Sequence, residues 1–415
     1  MPQMEDDKFG DVEAQKANQR VNVKVYLASM LTFFSIFAAA ILHANDAEFF
    51  TALLTDSDLV LAESTIVQIS SLYDSIYYLA YFAGLILGPF SDNRGKRKVF
   101  IVTGSVAYIL ISAMLLVSRD LRMLLTFRLL QGIAHILVWQ SLMVLVYDFS
   151  KSRNIARGVS IYTIFLGSGM GLGTMLGGIF ADIHVFGPMF VSIGCYVFVL
   201  IISSLKIRDP QHAHRRPTLR ENFALIKSKP QLSVPLIFNF VDRLHMGFLI
   251  TIIPLYLTYS IPLQPSLRGM ITGIVALPPL FLSYPVGKKS DAEWGRFRPL
   301  ITGSIFYGVF LSLTVVIAQK SIILFILMLM LQGCAQGFTT TPNNSLLGDL
   351  IDAQNKATAV AFFNFFGNLG IILGPLLALL FAQNYLYAFL VAGMIELITL
   401  GINYLMAKKM HFVSL

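Results

Sequence analysis

Gly88-Pro89-Phe90-Ser91-Asp92-Asn93-Arg94-Gly95-Lys96-Arg97-Lys98 packs five charges between two long apolar runs, 66–91 and 99–117. A hydrocarbon core of about 30 Å takes about 20 apolar residues to cross as a helix, so each flank reads as a membrane span and the charged stretch as the turn between them. The same alternation extends outward in both directions. Twelve candidate spans follow, at 25–54, 66–91, 99–117, 121–147, 157–181, 186–205, 233–259, 267–286, 299–318, 321–348, 358–382 and 385–407. In lipid the backbone must satisfy its own hydrogen bonds, and runs this long are helices rather than barrel strands. Composition agrees: hydrophobic residues make up 56% of 415, charged residues only 13%, and mean hydropathy is +0.70. A soluble domain of this size carries about a quarter charged residues, so a soluble core is excluded.

The longest break between spans, 206–232, holds three prolines and a cluster of Lys and Arg, and it divides the helices six and six. The expected organisation is a polar segment 1–24, a first bundle 25–205, a linker 206–232, a second bundle 233–407 and a tail 408–415. With both termini cytoplasmic, only Arg119, Arg122, Arg268 and Lys320 of the 31 basic residues fall outside, and Arg128 and Arg243 fall within spans. That asymmetry marks orientation. It also accounts for the net charge of +8 without any nucleic acid partner. The start of the chain is polar and mixed in charge, which does not read as a cleavable signal peptide. Cys195 and Cys334 both fall in apolar segments and read as packing residues, not as a disulfide or a metal site.

The halves repeat. Gln131-Gly132 precedes Asp148 as Gln332-Gly333 precedes Asp349, and the same offset of 201 carries Gly169 onto Gly370 and Gly173 onto Gly374. Asp92 and Gly95 are answered by Asp291 and Gly295 in the stretch from Gly287 to Arg298. Duplicated halves of this kind enclose a site at their interface in many carriers.

The charged turn, its partial copy around Asp291 and the element Arg128-x-x-Gln131-Gly132 together resemble the signatures of the major facilitator superfamily. The resemblance covers the whole chain. It implies an all-α polytopic protein of twelve transmembrane helices in two pseudo-symmetric six-helix bundles. It further implies a cytoplasmic gate formed by Asp92, Arg94, Gly95, Lys96, Arg97, Asp291, Gly295 and Arg296, with Asp92 and Arg97 in a charge relay. The glycine-rich fifth span, Gly169 to Gly178, is similar to an element of the family's antiporters; small residues at this spacing are first of all a close-packing face.

Ionisable groups inside spans are costly and mark function. Asp242 and Arg243 sit about ten residues into the seventh span, near the bilayer midplane at 1.5 Å per residue. In the first span, Asp46 and Glu48 follow an apolar core and by hydropathy alone read as an outer rim. Spacing back from Asp92 and Asp291 suggests that Asp46 is the counterpart of Asp242. These four are the candidate proton-coupling residues. Arg128, Gln131 and Asp74 are intramembrane polar groups; Asp74, early in the second span, is a third candidate acid, although an acid there more often marks a helix end. Candidate cavity residues are Trp139, Gln140, His245, Gln336, Asn343 and Asn344. Opening a cavity to one side or the other changes a carboxyl's burial and neighbouring charge, and with them its hold on a proton. The expected function is proton-coupled transport of a small organic or amphipathic solute by alternating access, with export favoured, by a monomer using no cofactor beyond the coupling proton. A lipid or lysolipid flippase, an uncoupled carrier and a non-transporting sensor are the alternatives. No nucleophile–base pair, metal cluster or nucleotide loop suggests an enzyme.

Overall fold

The computed structural model describes residues 22–54, 61–83, 96–150, 155–209, 227–319, 321–351, 356–381 and 384–410. Among these there is no strand; fourteen helices make up the architecture. In the first half they are α1 (Val23–Ala40), α2 (Asp46–Leu54), α3 (Glu63–Leu79), α4 (Arg97–Leu116), α5 (Leu121–Phe149), α6 (Ile155–Ile183) and α7 (Gly187–Lys206). In the second they are α8 (Ser233–Tyr259), α9 (Pro265–Ile274), α10 (Leu277–Lys289), α11 (Phe297–Ala318), α12 (Ile322–Asp349), α13 (Lys356–Leu380) and α14 (Tyr385–Lys409).

Two expected spans are broken helices. The first leaves α1 through a 3-10 turn, Ile41–Ala44, turns at Asn45 (φ −137°, ψ 31°), and restarts as α2. The restart gives Asp46 and Glu48 the positive end of a helix, which favours acids there. Asn45 secures the corner by donating to the Val185 carbonyl at 2.7 Å. The eighth span breaks between α9 and α10, where Pro278 and Pro279 begin the second piece. Among the described residues, eleven segments are long and apolar enough to cross a membrane. The remaining expected span is α3, which carries Ser70, Ser71, Asp74 and Ser75, all buried, and so is low in hydropathy. Its polar side chains face protein rather than lipid.

The repeat is visible in packing. Gln131 donates to Ser112 at 2.8 Å, tying α5 to α4, and Gln332 donates to Thr314, tying α12 to α11 in the same way. The adjoining glycines let a neighbouring backbone approach. A Cβ on Gly132 would lie 2.5 Å from the Tyr77 carbonyl oxygen, and one on Gly333 2.5 Å from that of Val275.

One apolar cluster runs through both halves, from Phe49, Phe50 and Ile66 to Phe248, Tyr256, Phe325 and Phe389. It occupies the end of the molecule away from the start of α1 and the end of α14. Toward that terminal face the core divides. One cluster (Val25, Ile101, Leu142, Val199) belongs to the first half and another (Val234, Leu300, Leu346, Ala407) to the second. The halves thus share a core at the far face and a second cluster further in, where Tyr77, Tyr78 and Tyr81 meet Ile371 and Ile372, and they keep separate cores at the terminal face.

Candidate functional site

A buried ion network sits where the far-face core meets the middle of the first half. Asp74, fully buried on α3, has His43 Nδ1 3.3 Å from its Oδ1 and Arg128 Nη2 3.5 Å from the same atom. Its other oxygen, Oδ2, accepts from the Thr251 hydroxyl of α8 at 2.7 Å. Arg128, on α5, is sandwiched between the rings of Tyr73 and Tyr77, 4.0 and 4.2 Å from their centroids, and donates to Gln131 at 2.7 Å. Arginine over aromatic faces gains cation–π attraction, which grows when water is absent. Asp46 is also buried and lies in the electrostatic field of Asp74 and Arg128. It lines a small pocket with Leu42, Asn45, Phe49, Tyr73 and Met189. The helix break at Asn45 makes this possible, because it turns the acids of α2 back toward α3.

Side-chain hydrogen bonds and ion pairs between the halves, among the described residues, lie at the far face or in the far half of the interior. Glu48 pairs with Arg268 of α9. Tyr385 donates to Glu63 at 3.0 Å, the Ser266 backbone N–H donates to Asp182 at 3.3 Å, and the Asp74–Thr251 bond lies deeper. Arg268, counted from sequence among the outer charges, is 1% exposed. Its guanidinium is covered because Gly178 and Gly269 allow α6 and α9 into backbone contact, a Cβ on either glycine meeting backbone of the other helix.

In the second half, Asp242 accepts from Thr339 at 3.4 Å and is half-buried. Arg243 reaches the Met246 sulfur at 4.0 Å and lies within the electrostatic reach of Tyr81 and Tyr162, across the interface. His245, placed from sequence in the cavity, instead points into its own bundle, with its Nε2 2.9 Å from the Ala392 carbonyl oxygen and its Nδ1 3.3 Å from Glu396. The proposed equivalence of Asp46 and Asp242 is also corrected. Gly169 and Gly173 press on the carbonyls of Phe33 and Phe37, while Gly370 and Gly374 press on those of Phe240 and Leu244. This packing aligns Asp242 with Ser35, and Asp46 with Ile253. Spacing failed because it counted through loops of unequal length.

A family model described as Major Facilitator Superfamily matches residues 25–241 and again 235–410. The chain belongs to this superfamily. It is 24% identical over 326 residues to a multi-drug resistance efflux pump PmrA homolog of Lactococcus lactis, covering 74% of this chain and 76% of that protein. It is 25% identical over 325 residues to the multidrug resistance protein MdtG of Escherichia coli, covering 75% and 78%. The match to YceJ, an MFS-type transporter of Bacillus subtilis, is 25% identical over 241 residues and spans 60% of that protein and 56% of this chain. In fold it is similar to a bacterial homolog of the human lysosomal transporter Spinster in an inward-facing conformation, with a TM-score of 0.75 at 13% identity, covering 93% of this chain and 96% of that one. It is similar also to a D-xylose-proton symporter, with a TM-score of 0.74 at 13% identity over 95% and 100% of the two chains. The protein is a multi-pass membrane transporter.

The transporter's remaining sequence-derived positions distribute as follows. Asp92, Arg94 and Gly95 lie outside the described residues, and Lys96 is exposed before α4. Arg97 is buried and 3.4 Å from Asp148, at the terminal face. In the second half, Arg296 bonds Asp349, the repeat counterpart of Asp148, at 2.7 Å and pairs with Asp291, while Gly295 turns the chain at φ +65°. Both latches close within a half. Trp139 donates to Tyr162 at 2.7 Å and stands 5.4 Å from Tyr81, on the face toward the other half. Gln140 and Gln336 are partly exposed. Asn343 is a packing residue, donating to the Pro235 carbonyl at 3.1 Å, and Asn344 is exposed. Asp74 is not a helix-end acid but the centre of the network. His43, Thr251, Arg268 and Glu396 carry site geometry that the sequence reading did not assign. Glu396 had a readable signal, being the only acid in the otherwise apolar α14. His43 and Thr251 had none, since a histidine and a threonine gain meaning here only from the acid beside them.

Proposed function

We propose that the chain is a proton-coupled exporter of small organic or amphipathic molecules, working by alternating access with the terminal face in the cytoplasm. The observation that carries this reading is the double engagement of Asp74. One carboxylate oxygen faces His43 and the Arg128 guanidinium of its own half, and the other accepts from Thr251 of the opposite half. A proton on Asp74 removes the charge that faces His43 and Arg128 and weakens the bond to Thr251, a charge-assisted bond being about twice as strong as a neutral one. Proton occupancy and the closure of the halves therefore bias one another. Asp46 shares the same field and is the second group to which such a proton can pass. The far-face joints and the divided terminal-face core support a reading in which the cavity opens toward the terminal face and a solute enters from the cytoplasm.

Export is supported by the efflux names of relatives in L. lactis and E. coli. The surplus of basic residues at the terminal face supports its cytoplasmic placement. Each chain carries a complete interface between its halves, so a monomer suffices, and the coupling proton is the only cofactor this reading requires. The test is proton flux in liposomes holding purified protein and a pH dye, challenged with ethidium, sugars, organic acids and lysolipids. A flux evoked by ethidium, lost in Asp74→Asn, is the expected result. Solute movement with no proton signal, or an Asp74→Asn variant that behaves as wild type, overturns the coupling. Movement of lysolipid alone points to a flippase.

A further inference from the structure

The second half holds a titratable cluster that the Asp74 network does not use. Glu396 is 3% exposed and lies about 16 Å along α14 from its far-face end, while His245 on α8 is completely buried. The hydrogen bonds fix where protons must be. His245 Nε2 is 2.9 Å from the Ala392 carbonyl oxygen, and a carbonyl has no proton to give, so Nε2 is the N–H. His245 Nδ1 then faces Glu396 Oε2 at 3.3 Å, and neither atom has a hydrogen-bond partner among the described residues. With no proton between them, an imidazole lone pair and a carboxylate oxygen oppose each other inside an apolar bundle. With one proton, the contact is attractive, whether that proton rests on Nδ1 or on Glu396.

The surroundings define the site further. From α11, Tyr307 stacks on the His245 ring with centroids 5.2 Å apart. From α8 itself come Asp242 and Arg243. From α12 comes the Thr339 hydroxyl, which is engaged with Asp242, and from α14 only Glu396 and the Ala392 carbonyl. Asp242 and Glu396 lie within each other's electrostatic field. Asp242 and Arg243 are the partly exposed members of the set, and Asp242 is the acid of the two.

We propose that His245 and Glu396 form a second proton-binding site, loaded and emptied through Asp242, so that each transport cycle carries one proton more than the Asp74 network alone supplies. The second clause rests on the proton-coupled reading, and the first does not. Loading breaks an O–H bond of hydronium or of protonated Asp242 and makes an O–H or N–H bond at the pair. Emptying reverses this, and no electrons are exchanged. Unloading leaves two acceptors facing each other between α8 and α14, a repulsion that the bound proton relieves.

Infrared difference spectra of the purified protein between acid and alkaline pH test the site without any solute. The expected outcome is a carboxylic-acid or imidazolium band that disappears in both Glu396→Gln and His245→Gln and persists in Asp74→Asn. Wild-type spectra superimposable on those of both variants overturn the proposal. Thermal unfolding in detergent confirms that each variant is folded, and Glu396→Asp, which keeps a titratable acid, retains the band in altered position. In liposomes, the proton-to-ethidium ratio, read from the pH gradient that halts ethidium flux, falls by one in Glu396→Gln. An unchanged ratio overturns the second clause. If the wild type moves no ethidium, the exporter reading falls while the spectra still decide the site.

Discussion

At the residue scale, the first half is organised around one carboxylate. Asp74 and Arg128 are both essentially unexposed, so each is tolerable only because the other is there. Removing one partner of a buried pair costs about 3–5 kcal/mol, because the survivor is left uncompensated. Arg128→Ala is therefore expected to lower thermal stability in detergent sharply. Restoring neutrality in Arg128→Ala/Asp74→Asn recovers much of the loss; a double variant no better than the single one would show that the pair does not share its charge. Arg128→Lys keeps the charge but not the planar group between Tyr73 and Tyr77. It is expected to fold and to transport more slowly, as measured by dye efflux from liposomes.

At the element scale, helices approach through glycine and break where a site needs an end. The α6–α9 contact depends on Gly178, whose place no side chain can share with the Pro265 carbonyl. Gly178→Leu is expected to separate these helices, expose Arg268 and yield little folded protein by size-exclusion chromatography. Gly194, on α7, has open space around its Cβ position, so Gly194→Ala is expected to be neutral or slightly stabilising in the same assay. The break at Asn45 has a different purpose. A continuous first helix would carry Asp46 and Glu48 past the network, whereas the restart aims one acid at Asp74 and the other at Arg268.

At the scale of the whole molecule, the polar joints between the halves include Glu48–Arg268, Glu63–Tyr385, Asp182–Ser266 and Asp74–Thr251, on the far side. The reading of alternating access requires these joints to part when the other face closes. Glu48→Gln is expected to shift the balance away from the terminal-face-open state. A cysteine placed at Gln336, with Cys195 and Cys334 removed, should then react more slowly with a maleimide applied from the terminal side. The exchange Glu48→Arg/Arg268→Glu should restore the rate. Equal labelling in all three proteins would show that this ion pair does not hold the far face shut.

By itself the sequence determined the class of the protein, a count of about twelve crossings, the duplicated halves and the superfamily, because lipid imposes long apolar runs and repeats leave a fixed offset. Arg128 was marked by its cost in a membrane, Gln131 by the motif it shares with Arg128, and Asp46 only by a spacing argument that the packing corrects. Only the tertiary structure decided which charge faces which. Asp74 gains its place from His43, Arg128 and Thr251, which come from three other helices. Arg268 is buried by a neighbour more than 80 residues away in the chain, and Asp46 and Asp242 prove to occupy different levels of their bundles. A one-dimensional pattern records the period of each helix and the length of each loop. It does not record how far each helix slides and turns against its neighbours, and that displacement decides where a buried charge finds its partner.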